Sequence, residues 1–130
     1  MFNIHDNEIV SYKVDLKNQK IIIHAEDNDL KPIKSTDIIF SDVLAHFFEN
    51  QLNGSVIFDI GEYNINQFVN ENSELLEKQK NYCWPIDYDT IEELTEKLLK
   101  DKYCYYVISS SYGLSGWVLA KNYEIINTNI

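Results

Sequence analysis

Tyr103-Cys104-Tyr105-Tyr106-Val107-Ile108 decides how this chain is read, because both faces of the stretch are apolar. Side chains alternate along a strand, so Tyr103, Tyr105 and Val107 share one side and Cys104, Tyr106 and Ile108 the other. Such a strand is either central and covered twice, or it presents aromatic surface to a partner. The central position is favoured; the alternative is a homodimer formed through this strand. Downstream, Trp117-Val118-Leu119-Ala120 is the returning arm of a hairpin. Ser109 to Gly116 (SSSYGLSG) is its connection, with Gly113 and Gly116 available for positive φ. Tyr123 to Ile126 is expected to extend the second arm, and Asn127 to Ile130 to fray.

Upstream lie two helical patterns. Ile65, Phe68, Val69, Asn72, Leu75, Leu76 and Gln79 fall on one face of a helix over 65–80, with Asn64 as N-cap and Gln67 three residues later. Cys83-Trp84-Pro85 ends it, since proline biases the preceding residue to an extended conformation. A second helix starts at Thr90, with Glu93 completing Thr-x-x-Glu. Ile91, Leu94, Leu98 and Leu99 form its buried face, and Lys97, Lys100 and Lys102 gather at its C-terminal end, where the helix dipole favours cations.

The N-terminal part reads as strands. Val10, Tyr12, Val14 and Leu16 share one face over 9–16, Lys17-Asn18-Gln19-Lys20 is a turn, and Ile21 to Ala25 returns. Ile38-Ile39-Phe40 is a strand, and so is Ser55 to Ile60 behind Asn53-Gly54, a hairpin signal. Between them, Phe40, Val43, Leu44, Phe47, Phe48 and Leu52 fit a helical stripe and a long bulged hairpin arm about equally. Residues 41–52 therefore stay open between helix and strand, with strand preferred. The sum is an α+β fold: a mainly antiparallel sheet of about five to six strands covered on one face by two consecutive helices. The 130 residues suit one domain, 1–130, which needs no staple of disulfides or metal.

Charge narrows the function. Asp and Glu number 21 against 11 basic residues, a net charge of −10, and all 11 are Lys. Nucleic-acid binding needs a basic footprint, so no nucleic acid is expected, and anionic lipid is repelled too. Without Arg the chain lacks the bidentate fork that best grips phosphate. A basic protein partner is favoured by the same field. No apolar run approaches the roughly 18 residues of a membrane span. The start, MFNIHDNEIV, has neither the cationic nor the apolar region of a secretory signal. A cytoplasmic location, with no membrane partner, is the default expectation. Cys83 and Cys104 lie in different elements and define no metal motif, so they read as two buried thiols.

Candidate chemistry is sparse, and no catalytic residue, metal site or cofactor is assigned. Ser109 to Gly116 is neither a nucleophile elbow nor a phosphate loop, because the required Gly-x-Ser-x-Gly and Gly-Lys-Ser/Thr patterns are missing. His46 with Glu49 is the nearest thing to an acid–base pair. Glu26-Asp27-Asn28-Asp29 fails as a calcium loop, since the sixth position from Asp27 is Pro32 and the twelfth Ile38. An alternative pocket would join His46, Ser111, Tyr112, Ser115 and Trp117. The sharper candidate is an acidic docking face of Asp87, Asp89, Glu92, Glu93 and Glu96, with Tyr88 as an amphipathic anchor.

In size, acidity and lack of catalytic motif the chain resembles small bacterial immunity proteins, which neutralise the toxins of polymorphic toxin systems. Asn81-Tyr82-Cys83-Trp84-Pro85 and Ser110-Ser111-Tyr112-Gly113-Leu114-Ser115-Gly116-Trp117 look like family signatures. The resemblance implies a non-enzymatic binding module and carries over no individual residue; that its partner is basic follows from the charge. The rival readings are a small-ligand binder or enzyme near Ser109–Ser115, and a homo-oligomeric structural protein.

Overall fold

Strand-forming segments rich in Ile, Val and Tyr flank a helical middle. The computed structural model describes residues 4–128. In chain order these form β1 (Glu8–Asp15), β2 (Lys20–Asp27), β3 (Lys34–Ser41), β4 (Ala45–Glu49) and β5 (Val56–Tyr63). Then come α1 (Ile65–Glu71), α2 (Ser73–Gln79), a 3-10 turn (Lys80–Tyr82), α3 (Ile91–Lys100), β6 (Cys104–Tyr112), β7 (Ser115–Ala120) and β8 (Asn122–Asn127). The fold is α+β with an antiparallel sheet in the order β4-β7-β6-β5-β1-β2-β3-β8. Among the described residues there are eight strands and three α-helices, against the expected five to six strands and two helices.

The sheet folds back on itself. Only Lys121 separates β7 from β8, and three residues separate β3 from β4, yet each pair spans the two ends of the strand order. The corner is pinned where Lys121 N–H donates to Ser41 O at 3.2 Å and Leu44 N–H to Leu119 O at 2.9 Å. On the far side β1 and β5 share one register pair, Glu8 with Val56. Two four-stranded halves, β4-β7-β6-β5 and β1-β2-β3-β8, thus face each other. Ile21, Ile23, Ile38 and Phe40 of one half meet Ile57, Tyr106, Ile108 and Val118 of the other. Tyr123 closes this core, its ring 4.9 Å from that of Tyr106 and 5.8 Å from that of Phe40.

A second core lies outside the first half. Tyr105, Trp117, Leu119 and Ala45 pack there against Ile65, Phe68, Val69, Leu76, Leu94 and Leu98 of the helices. Burying each of the larger side chains contributes about 1.5–3 kcal/mol. β6 therefore has Tyr106 and Ile108 in one core and Tyr105 in the other: it is central and covered twice. Tyr105 and Tyr106 are each 3% exposed, so the strand presents little of its aromatic surface to solvent.

Several local expectations need correction. Residues 41–52 contain a strand, β4, but it pairs with β7 and not with β5, so Asn53-Gly54 is a turn without a hairpin. The helix over 65–80 is broken at Asn72, which has φ −116° and ψ 22°. Its side-chain amide donates to Phe68 O at 3.0 Å and to the Tyr105 hydroxyl at 3.3 Å, while its backbone N–H keeps the helical bond to Phe68 O at 3.1 Å. A bulge between Ile9 and Ser11 shifts the β1 alternation: Ile9 is buried, while Val10 is 49% and Leu16 81% exposed. On α3 only Leu94 and Leu98 are buried; Ile91 and Leu99 face solvent. Ser109 to Tyr112 continues β6, leaving a short turn before β7. Tyr123 to Ile126 turns the corner and pairs with β3 instead of extending the β7 arm. Asn127 is held in β8 opposite Thr36, so fraying does not begin there; Asn129 and Ile130 lie outside the described residues.

Candidate binding groove

The helices cover only part of the outer face of β4, β7 and β6. Beyond their edge the sheet leaves an open cleft of 460 Å³, lined by Phe47 and Glu49 of β4, Val107 to Ser110 of β6, Ser115 to Trp117 of β7, and Asn72. A second cleft of 380 Å³ adjoins it, sharing Phe47 and Asn72 and adding Glu71, Glu74 and Lys78. Together they form one groove between the strand ends and the α1–α2 break. Strand alternation explains the composition. Phe47 and Glu49 stand opposite Trp117 and Ser115, so all four project to the same outer face.

The groove has a ring on its wall and carboxylates along its length. Phe47 stacks on Trp117 with ring centroids 6.5 Å apart and planes 19° apart, and is still 39% exposed. Glu71 accepts from the Tyr105 hydroxyl at 2.9 Å and from Gln67 Nε2 at 3.0 Å. Burial pushes the Tyr105 phenol up to about 12, with Glu71 adding to the shift and the Asn72 amide opposing it. Glu49 and Glu74 are exposed. Lys78 is the one lysine in the groove lining. No histidine or cysteine lines it.

Of the expected pocket residues, the structure brings Ser115 and Trp117 into the groove and leaves the others out. His46 stands one residue from Phe47 and so on the opposite face of β4, beside Val118 and against Phe48. Burial lowers its pKa, and alternation also puts it on the other face from Glu49, so they are not an acid–base pair. Ser111 and Tyr112 are exposed at the end of β6. The Ser/Gly stretch is largely occupied by its own turn: the Ser110 hydroxyl donates to Leu114 O, and Leu114 N–H donates to the buried Ser55 Oγ at 2.9 Å.

The acidic docking candidate is partly tied down. Tyr88 is 6% exposed with its hydroxyl donating to Leu76 O at 3.3 Å, so it cannot serve as a surface anchor. Glu93 accepts from Asp89 N–H at 3.1 Å and pairs with Lys97 at 2.9 Å; the Lys97 hydrogen bond holds its carboxyl below the usual range. Lys97 also donates to Asp87 O and Lys80 to Asp89 O. Asp87, Asp89, Glu92 and Glu96 remain exposed. Of the two cysteines, Cys83 is exposed, contrary to the expectation of two buried thiols, and Cys104 is half-buried.

Among the described residues, no group of three His, Cys, Asp or Glu side chains is arranged to hold a metal ion, and no helix is long and apolar enough to cross a membrane. No protein-family model matches the chain, and no curated protein matches it. The groove was not legible in the sequence, because it joins segments around 47, 72 and 109–117 that only the fold-back brings together. The one available signal was Phe47 and Glu49, two apart, on a segment that reads as strand or helix alike.

Proposed function

We propose that this protein is a non-enzymatic binding module of the immunity type, which neutralises a basic protein partner by covering it. One observation carries the reading: the acidic field is left largely unquenched. The chain has 21 Asp and Glu against 11 Lys, so pairing every lysine would still leave ten carboxylates over, and Glu49, Glu74, Asp87, Asp89, Glu92 and Glu96 are exposed. Unpaired surface carboxylates steer a cationic partner and repel anionic ones. Because steering acts before contact, association should slow steeply as salt rises while dissociation changes little. Stopped-flow association with the purified partner across a salt series measures both rates. An association rate that does not respond to salt would overturn the reading.

The open groove favours one second reading, a small-ligand site, since its volume lies within the range of small-molecule pockets.

A further inference from the structure

We propose that the groove at the α1–α2 break receives an arginine side chain of the basic partner, the guanidinium stacking on Phe47 between the carboxylates of Glu49 and Glu74. The proposal rests on the basic-partner reading and names the point of contact.

Three features of the groove converge on this occupant. The Phe47 ring is braced by Trp117 behind it and is still 39% exposed. A planar cation gains most from such a ring, and arginine stacks better than lysine. Carboxylates flank the ring on both sides, Glu49 in one cleft and Glu71 and Glu74 in the other, and both clefts touch Phe47. Glu71 is already engaged by Tyr105 and Gln67, whereas Glu49 and Glu74 are exposed and available. The charge is also one-sided over a long stretch. From Ser35 to Glu77 the chain has eight carboxylates and no lysine, β6 and β7 add none of either sign, and Lys78 alone sets a positive charge against Glu49, Glu71 and Glu74 in the groove lining. The Asp87–Glu96 face contrasts with this: Lys80 and Lys97 are folded onto it and its one aromatic ring is buried. The half-buried Asn72 and the hydroxyls of Ser109 and Ser115 supply neutral acceptors for the remaining guanidinium N–H groups.

The test needs no identified partner. The isotope-labelled full chain is titrated with the peptide Gly-Arg-Gly, blocked at both ends, and followed by amide and indole NMR shifts. Gly-citrulline-Gly serves as its neutral isostere. Saturable shifts centred on Phe47, Asn72, Ser115 and the Trp117 indole are expected with the arginine peptide, and none with the citrulline one. Replacing both exposed carboxylates, Glu49→Gln with Glu74→Gln, should weaken binding about tenfold. Phe47→Leu, which keeps an apolar side chain, should also weaken it. Both variants' free spectra report whether they are folded. Shifts centred on Asp87 to Glu96 would overturn the groove assignment and leave the basic-partner reading standing. So would equal binding of the two peptides, or no saturable shift at all. Failure of the basic-partner reading appears separately, in the salt dependence of partner association.

Discussion

Asn72 and Tyr105 show how single residues set the groove. The helix expected over 65–80 breaks at Asn72, whose side-chain amide donates to Phe68 O and to the Tyr105 hydroxyl, which donates to Glu71. The break is thereby fixed to the first residues of β6. Tyr105→Phe removes these side-chain bonds and should cost about 1 kcal/mol in urea unfolding. The titration adds a signature. Tyr105 ionises near 12 in the fold against about 10 in the unfolded chain, so the folded state holds the proton more tightly. Its contribution is complete below pH 10 and is lost as pH rises toward 12. Unfolding measured across that window should steepen for the native chain and flatten in part for Tyr105→Phe; identical slopes would contradict the assignment.

Among the elements, β4 and β6 mark the limits of what the sequence can tell. β6 was legible because its two faces are apolar within six residues, which favours a strand covered twice, and the two cores cover it so. The α3 cap was legible too, since Thr90 accepts from Glu93 N–H as its spacing requires. β4 was not, because Phe47 and Phe48 suit a helical stripe as well as a strand, and its partner β7 lies some seventy residues away. Bulges in β1 and β5 shift the register without any residue type that announces them. Gly116 is where β4 and β7 come closest. It has φ +153°, and a Cβ there would run into the Phe47 carbonyl oxygen. Gly116→Ala should cost about 1–3 kcal/mol and displace β4, weakening peptide binding in the groove as well. A variant of native stability would mean that β4 is not held against β7 as described.

Over the whole molecule, charge was legible and its placement was not. The count of 21 acidic residues against 11 lysines gives the sign of the net charge, but composition cannot say which carboxylates are tied down. The fold-back decides that. It puts a lysine-free stretch, 35–77, beside an uncovered sheet end and folds Lys80 and Lys97 over the Asp87–Glu96 segment. The exposed acidic surface is therefore wider than the face that sequence alone suggests, and the Phe47 groove lies outside that face. The central claim is that this surface docks a basic protein. Its most direct test is affinity capture of the tagged full chain from lysate of its own cells, at low and at high salt, read by mass spectrometry. A docking module predicts one basic protein, retained in stoichiometric amount at low salt and lost at high salt. A chain that emerges with no partner at low salt, or with one whose retention ignores salt, contradicts the claim.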